Sequence, residues 1–222
     1  LLDLPTVDDA APAHQPRMAA HASPWRGPLA VYAAPEDDGY THLADITAPA
    51  TMGRLAEPLR PARPGRWWRG SLAVTLWSGR LDAGTRRSVL DGGNLAAVEA
   101  APGVWEVLQF TGAVLEGPGR WRLTGLLRGQ AGTEALAGAP VPPGAHFVLL
   151  DAAVTALPLP LSALGAERHL RVGPAALGFD DPAFVHLTMT PAGTGLRPLA
   201  PVHGGTARAD GGVEVRWLRR SR

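Results

Sequence analysis

Two residue types never occur in this 222-residue chain, cysteine and lysine. Without Cys there are no disulfides and no thiolate metal sites, although the compartment stays open. Without Lys, all 21 basic residues are Arg. A GC-rich coding bias accounts for that more simply than selection for bidentate anion contacts. An excess of one charge is missing too: the formal net charge is +1, so no overall field draws nucleic acid or an anionic membrane. No apolar run approaches the roughly 20 residues that span a bilayer. The chain opens Leu-Leu-Asp-Leu-Pro, with neither Met nor the basic and apolar regions of a signal peptide. It is read as a piece excised from a longer polypeptide.

The usual catalytic and ligand-binding signatures are also absent. The seven His are His14, His21, His42, His146, His169, His186 and His203. None lies in a His-x-x-x-His or His-Glu-x-x-His arrangement, so a helical zinc site has no support. There is no Gly-x-Ser-x-Gly elbow and no Gly-x-x-x-x-Gly-Lys-Ser/Thr phosphate loop. Gly65 and Gly70 stand near the right spacing, but bulky Arg and Trp lie between them. The acidic run Glu36-Asp37-Asp38-Gly39 lacks the alternating ligands of a calcium loop and reads as a solvated turn. Neither a metal nor a cofactor is expected.

What is abundant is punctuation. The 27 Gly and 22 Pro are spread between Val- and Leu-rich runs, the pattern of a turn-rich β protein with enough apolar residues for a real core. Residues 120–128 alternate, with Trp121, Leu123, Gly125 and Leu127 on one face and Arg120, Arg122, Thr124, Leu126 and Arg128 on the other. That is a strand with one buried side. Gly129 and Gly132 then bracket a tight bend, and Thr133 is placed to cap a short helical turn over 135–137. A strand over 146–151 returns after Pro142-Pro143-Gly144 and ends at Asp151.

Other strands are expected over 1–7 (an edge strand, because of Pro5), 29–34 and 40–46 as a hairpin, 71–77, 104–110, 168–172 and 183–190. On 71–77, Leu72, Val74 and Leu76 share a face; on 183–190, Val185, Leu187 and Met189 do. Residues 10–28 and 47–70 read as long surface connections, 152–165 as a crossing segment and 191–205 as a linker. Val213, Val215 and Trp217 alternate with polar residues in a last strand whose domain is expected to continue past residue 222.

Several side chains invite a chemical reading beside a structural one. Glu106 and Glu134, near strand ends, are the best pair for glycoside hydrolysis across a sugar, though each is more simply a surface residue. Asn94, in the turn Asp91-Gly92-Gly93-Asn94, is more simply a turn Asn than a catalytic one. Arg128 ends an apolar strand at a glycine bend, so its donors should hold nearby carbonyls or a carboxylate; an anion site is the sharper alternative. Trp67 and Trp68, flanked by Arg66 and Arg69, can stack on a sugar. As adjacent strand residues they face opposite sides, so packing of one and Arg shielding of the other is the plainer account. Trp25 is the third candidate for sugar contact.

These motifs, in order, resemble a known family. Leu1-Leu-Asp-Leu-Pro5, Leu90-Asp-Gly-Gly-Asn94, Trp105-Glu-Val-Leu-Gln-Phe110, Leu126-Leu-Arg-Gly-Gln-Ala-Gly-Thr-Glu134 and His146-Phe-Val-Leu-Leu-Asp151 are similar to the C-terminal half of the large tail-tip proteins of siphophages and gene transfer agents. That family includes the "megatron" baseplate protein with its TIM-barrel-like domain and, more distantly, host-specificity tail proteins. The likeness covers about residues 1–155. Arg197-Pro-Leu-Ala-Pro-Val-His203 onward resembles the start of a fibronectin type III module.

The resemblance implies a structural protein of a virion-like particle, assembled in the bacterial cytoplasm, and not an enzyme. Its expected partners are copies of itself in a trimer, other hub and distal tail proteins, and DNA only in transit; a cell-envelope glycan is the partner of the rival reading, a carbohydrate-binding module that uses Trp67, Trp68 or Trp25. The expected architecture is mainly β: an antiparallel barrel-like or sandwich hub domain (1–155), a crossing segment with further strands and a linker (156–200), and a truncated fibronectin type III-like start (201–222).

Overall fold

The structure is a computed structural model that describes residues 1–8 and 11–219. Residues 9, 10 and 220–222, onto which the expected 10–28 loop and the last module extend, lie outside the described residues, as do the side chains of Val202, His203 and Ala209. The chain is mainly β, as expected. In order it forms β1 (Arg17–Met18), β2 (Leu29–Ala34), β3 (Thr41–Ile46), β4 (Met52–Leu55) and β5 (Trp67–Ser78). Helix α1 (Arg86–Leu90) precedes β6 (Leu95–Ala101), β7 (Val104–Gly117) and β8 (Arg120–Gln130). Helix α2 (Glu134–Ala137) leads to β9 (His146–Leu149), β10 (Thr155–Ala156), β11 (Arg168–Pro174), β12 (Val185–Met189), β13 (Val202–Ala209) and β14 (Gly212–Leu218). Among the described residues no helix is long and apolar enough to cross a membrane.

Six strands close into an antiparallel barrel in the order β4-β5-β8-β7-β6-β9. A barrel this small has an interior that side chains can fill. Leu72, Val74 and Leu76 of β5, Leu108 and Phe110 of β7, Leu123 and Leu126 of β8 and Phe147 of β9 do so. The period-two pattern of β5 therefore points where the sequence suggests. In β8 it does not hold. Leu123 and Leu126, three residues apart, both enter the core, because Gly125 takes φ +59° and the pairing with β5 slips between Trp68 and Ser71. An extra residue in one strand inverts the inside–outside parity beyond it. Thus Arg128 shares the inward face with Leu126, not the outer one with Arg122.

Two expected connections carry structure instead, 10–28 holding β1 and 47–70 more than one element. Residues 47–70 include β4, a barrel strand only four residues long, and the start of β5. Residues 56–62 and 137–141 pair with each other, through the mutual Leu59–Val141 backbone bonds and Ala62 N to Ala137 O, and lid one barrel end. Leu1 to Val7 is not an edge strand. Only Leu2 bridges, to Arg17, and Leu2 and Leu4 pack as a strap over the barrel's outside, with Trp105, Val107, Val148 and Val154. Proline at position 5 leaves this segment without the donors of a continuous ladder.

Outside the barrel, a second sheet has the order β12-β11-β2-β3. Val31, Ala33 and Leu170 from one of its faces join Met18, Ile46, Leu157, Leu159 and Ala163 in a second core. Because β11 pairs with β2 and β10 with β1, a division at residue 155 cuts through one packed unit. Val185, Leu187 and Met189 share the inward face with Leu170 and Val172, yet Val185 and Leu187 remain exposed. The expected linker over 191–205 is tied down in its first part. Asp3 accepts hydrogen bonds from Ala192 N and Thr194 N, and Thr6 Oγ1 donates to Gly195 O. Last comes the β13–β14 hairpin, exposed at every position whose side chain is described.

Candidate functional site

Among the most deeply buried side chains of the barrel is one that hydropathy places outside. Arg128 is fully buried, and its guanidinium grips the equally buried Glu106 with two parallel bonds, Nε donating to Oε1 at 2.8 Å and Nη2 to Oε2. Nη1 donates to the carbonyl of Arg60 and Nη2 to that of Ala139, both in the barrel lid. Glu106 Oε1 also accepts from Gly129 N at 3.1 Å. Planar fork-to-carboxylate pairing is the strong form of charge-assisted bond. The effect is mechanical: β7, β8, the glycine bend and the lid are fastened at one point.

This arrangement overturns the hydrolytic pairing of Glu106 with Glu134. With 0% of its side chain exposed and both oxygens held by Arg128, Glu106 can neither reach a sugar nor hold a water against one. Around it, Gly129 and Gly132 have φ of +66° and +92°, and Ala131 between them is also left-handed at +54°. Thr133 stands at the N-cap position of α2 but makes no side-chain cap bond. Its hydroxyl instead accepts from Val107 N and donates to Gln130 O at 2.7 Å, pinning the bend to β7.

Asn94, at φ +50°, donates from Nδ2 to Asp82 O and Phe110 O, so it ties two distant segments rather than its own turn. Gln109, whose role the sequence leaves blank, reaches Val89 O and Gly93 O from the same side. Asp151 accepts from Ala153 N in the turn after β9. The tryptophans do not form one platform. Trp68 packs on the barrel core, Trp25 on the second core, and Trp67 lies under Arg86, 5.3 Å from its ring centre. Trp77 is the more exposed ring of the barrel, beside Arg54 and His146.

A groove of about 630 Å³ runs between the strap, the β6–β7 turn, the glycine bend and residues 188–199. Trp105, only 7% exposed, is among its lining residues, and its buried indole nitrogen has no partner among the described residues. Glu99 stands at its rim. Burial raises the pKa of that carboxyl, but the bonds from His146 and Gly103 N outweigh it and hold the group below its usual range.

On the second sheet, three groups that the sequence scatters come together: Asp37 from the β2–β3 turn, His169 on β11 and His186 on β12. Their nearest ligand-type atoms all lie within 4.8 Å of one another. No local spacing rule reports such a set, because it is assembled across three strands.

The fold thus defines a small closed β-barrel with a strapped accessory sheet, clamped by buried polar bonds. Residues 50–148 match the family described as Rcc01698-like, C-terminal, a domain family found in gene-transfer-agent-related proteins of Rhodobacter. The matched segment is the barrel almost strand for strand, since β4 begins at Met52 and β9 ends at Leu149. No curated protein matches the chain.

Proposed function

We propose that this chain is a structural part of the tail-tip baseplate hub of a phage-like particle, of gene transfer agent or siphophage type, and that it works in tail assembly and DNA delivery rather than catalysis. The observation that carries the reading is the coincidence of the gene-transfer-agent-linked family match with a complete closed barrel. A filled interior suits a rigid post. Leu, Val and Phe occupy the lumen and the lid covers one end, so any passage for DNA lies between copies of the chain and not through this barrel. Exposed strand edges and apolar positions such as Val114, Leu115 and Trp77 suit burial against neighbours in a symmetric assembly.

The test is made in a cell that produces the particle, with the parent polypeptide at full length. An epitope inserted at the Gly211-Gly212 turn is expected to label the tail tip in electron micrographs, in three copies per particle. Deleting the barrel segment is expected to abolish DNA transfer while leaving filled heads. Label on the head, label absent from particles, or undiminished transfer after the deletion overturns the proposal.

A further inference from the structure

In the accessory sheet, β11 and β12 run antiparallel with Arg171 opposite His186 and His169 opposite Thr188. His169 and His186 are therefore diagonal neighbours on one face, the face away from the second core. Their rings are nearly parallel, 8° apart, with His169 Nδ1 only 3.1 Å from His186 Nε2. Asp37 leans over from the β2–β3 turn and puts Oδ1 3.8 Å from His186 Nε2. Tyr40 Oη donates to that same carboxylate at 2.5 Å and fixes its position. Two imidazole nitrogens and a carboxylate oxygen thus converge, from a turn and two strands.

We propose that Asp37, His169 and His186 bind a divalent transition-metal ion of the zinc class, which staples the edge strand β12 and the β2–β3 turn to β11. Donors held at about 2.0–2.1 Å around a tetrahedral ion stand about 3.3 Å apart. The His169–His186 separation is already near that edge length, and Asp37 Oδ1, 3.8 Å from His186 Nε2, lies a little outside it. The donor set selects the metal: imidazoles favour Zn²⁺ and its neighbours, whereas Ca²⁺ and Mg²⁺ seek mostly oxygen.

A second carboxylate supports the assignment. Glu167 Oε1 lies 3.6 Å from His169 Nε2, the far side of that ring. At that distance it acts as a charge rather than a hydrogen-bond acceptor, on the ring edge opposite the nitrogen that faces His186. Charge agrees as well. Arg171 lies 3.7 Å from Asp37, but its guanidinium also spreads over the rings of Tyr40 and Phe179. Asp37 and Glu167 against Arg171 leave one net negative charge to meet the cation. Asp37 and His186 are exposed and His169 half-buried, so an ion can enter, and the fourth position is left to water.

The experiment uses the full chain, stripped with EDTA and titrated with ZnCl₂ by calorimetry. One Zn²⁺ per chain is expected, with a raised melting temperature that CaCl₂ and MgCl₂ do not reproduce. Asp37→Asn, His169→Gln and His186→Gln are each expected to weaken binding by more than about 10-fold, and Glu167→Gln by about 10-fold. His42→Gln, on the same sheet but paired with Asp45, is expected to change nothing. In the unmutated chain, Zn²⁺ should shift the ring NMR signals of His169 and His186 and leave those of His42 in place, a readout that does not depend on the variants folding. No stoichiometric binding, binding that survives His169→Gln and His186→Gln, or ring shifts confined to other His would overturn the site.

Discussion

The barrel and the accessory sheet use the same strands-and-turns vocabulary and reach opposite solutions. The barrel fills its interior with apolar residues all the way round, leaves none of its strands unpaired, and admits one ion pair to its interior. Its neighbour packs one face on a core borrowed from residues 18–46 and 157–170 and gives the other to Tyr32, His42, Arg171 and His186. β12, at its edge, keeps Val185 and Leu187 exposed. Closure makes the barrel's polar bonds structural, because water cannot replace them. In the open sheet the polar groups remain available to bind something. The difference teaches where to look for rigidity and where for chemistry.

The strongest break in that contrast is Gly129→Val. A left-handed φ and a Cβ that would sit 2.8 Å from Glu134 Cα leave a branched side chain nowhere to go, and about 3–6 kcal/mol of stability should be lost. Denaturant unfolding measures it. Gly132→Val should lose less, since its Cβ meets only the flexible Leu199 side chain. Next comes Arg128→Met, expected to cost about 3–5 kcal/mol by stranding the buried Glu106 carboxylate. Adding Glu106→Leu should recover part of the loss but not all, because the Arg60 and Ala139 carbonyls stay without their donor. Full recovery in the double variant would show that the lid does not depend on this clamp.

Smaller effects sharpen the comparison. On the barrel, Glu99 is held below its ordinary pKa by His146 and Gly103 N against the opposing pull of burial, and Glu116 mainly by Arg122. A depressed folded-state pKa means stability that is complete above the unfolded value near 4.5 and is lost as pH falls through the folded one. Melting temperature should therefore drop below about pH 4.5, and less steeply in Glu99→Gln and Glu116→Gln. Smallest of all is Trp217→Ser in the exposed hairpin, expected to move barrel stability by no more than about 0.5 kcal/mol. A larger shift would mean that the hairpin docks on the barrel.

What could be read from the residues alone was local. The β2–β3 hairpin announces itself through its acidic Gly turn, and Leu72, Val74 and Leu76 give the inner face of β5. β4 was hidden because four residues among prolines carry no usable period. The parity of β8 misled because hydropathy does not record that Gly125 adopts a left-handed conformation. At Arg128, the terminal charge at the glycine bend pointed to nearby carbonyls or a carboxylate, but not to Glu106, 22 residues away on another strand. Thr133 reads as a helix cap and Asn94 as a turn residue, yet their bonds run to Val107, Asp82 and Phe110, partners that only the assembled barrel brings near. The Asp37, His169 and His186 set is illegible for the same reason.

The barrel's last strand in sequence, β9, is wedged between its first, β4, and β6. A nascent chain that has emerged only as far as residue 145 is thus an open ribbon with two bare borders, each a template for pairing with another such ribbon. Four more residues seal it. Translation stalled just before His146 should yield a sticky product, whereas release a few codons past Leu149 should not; the timing of that short stretch decides between a ribbon that closes on itself and one that clumps.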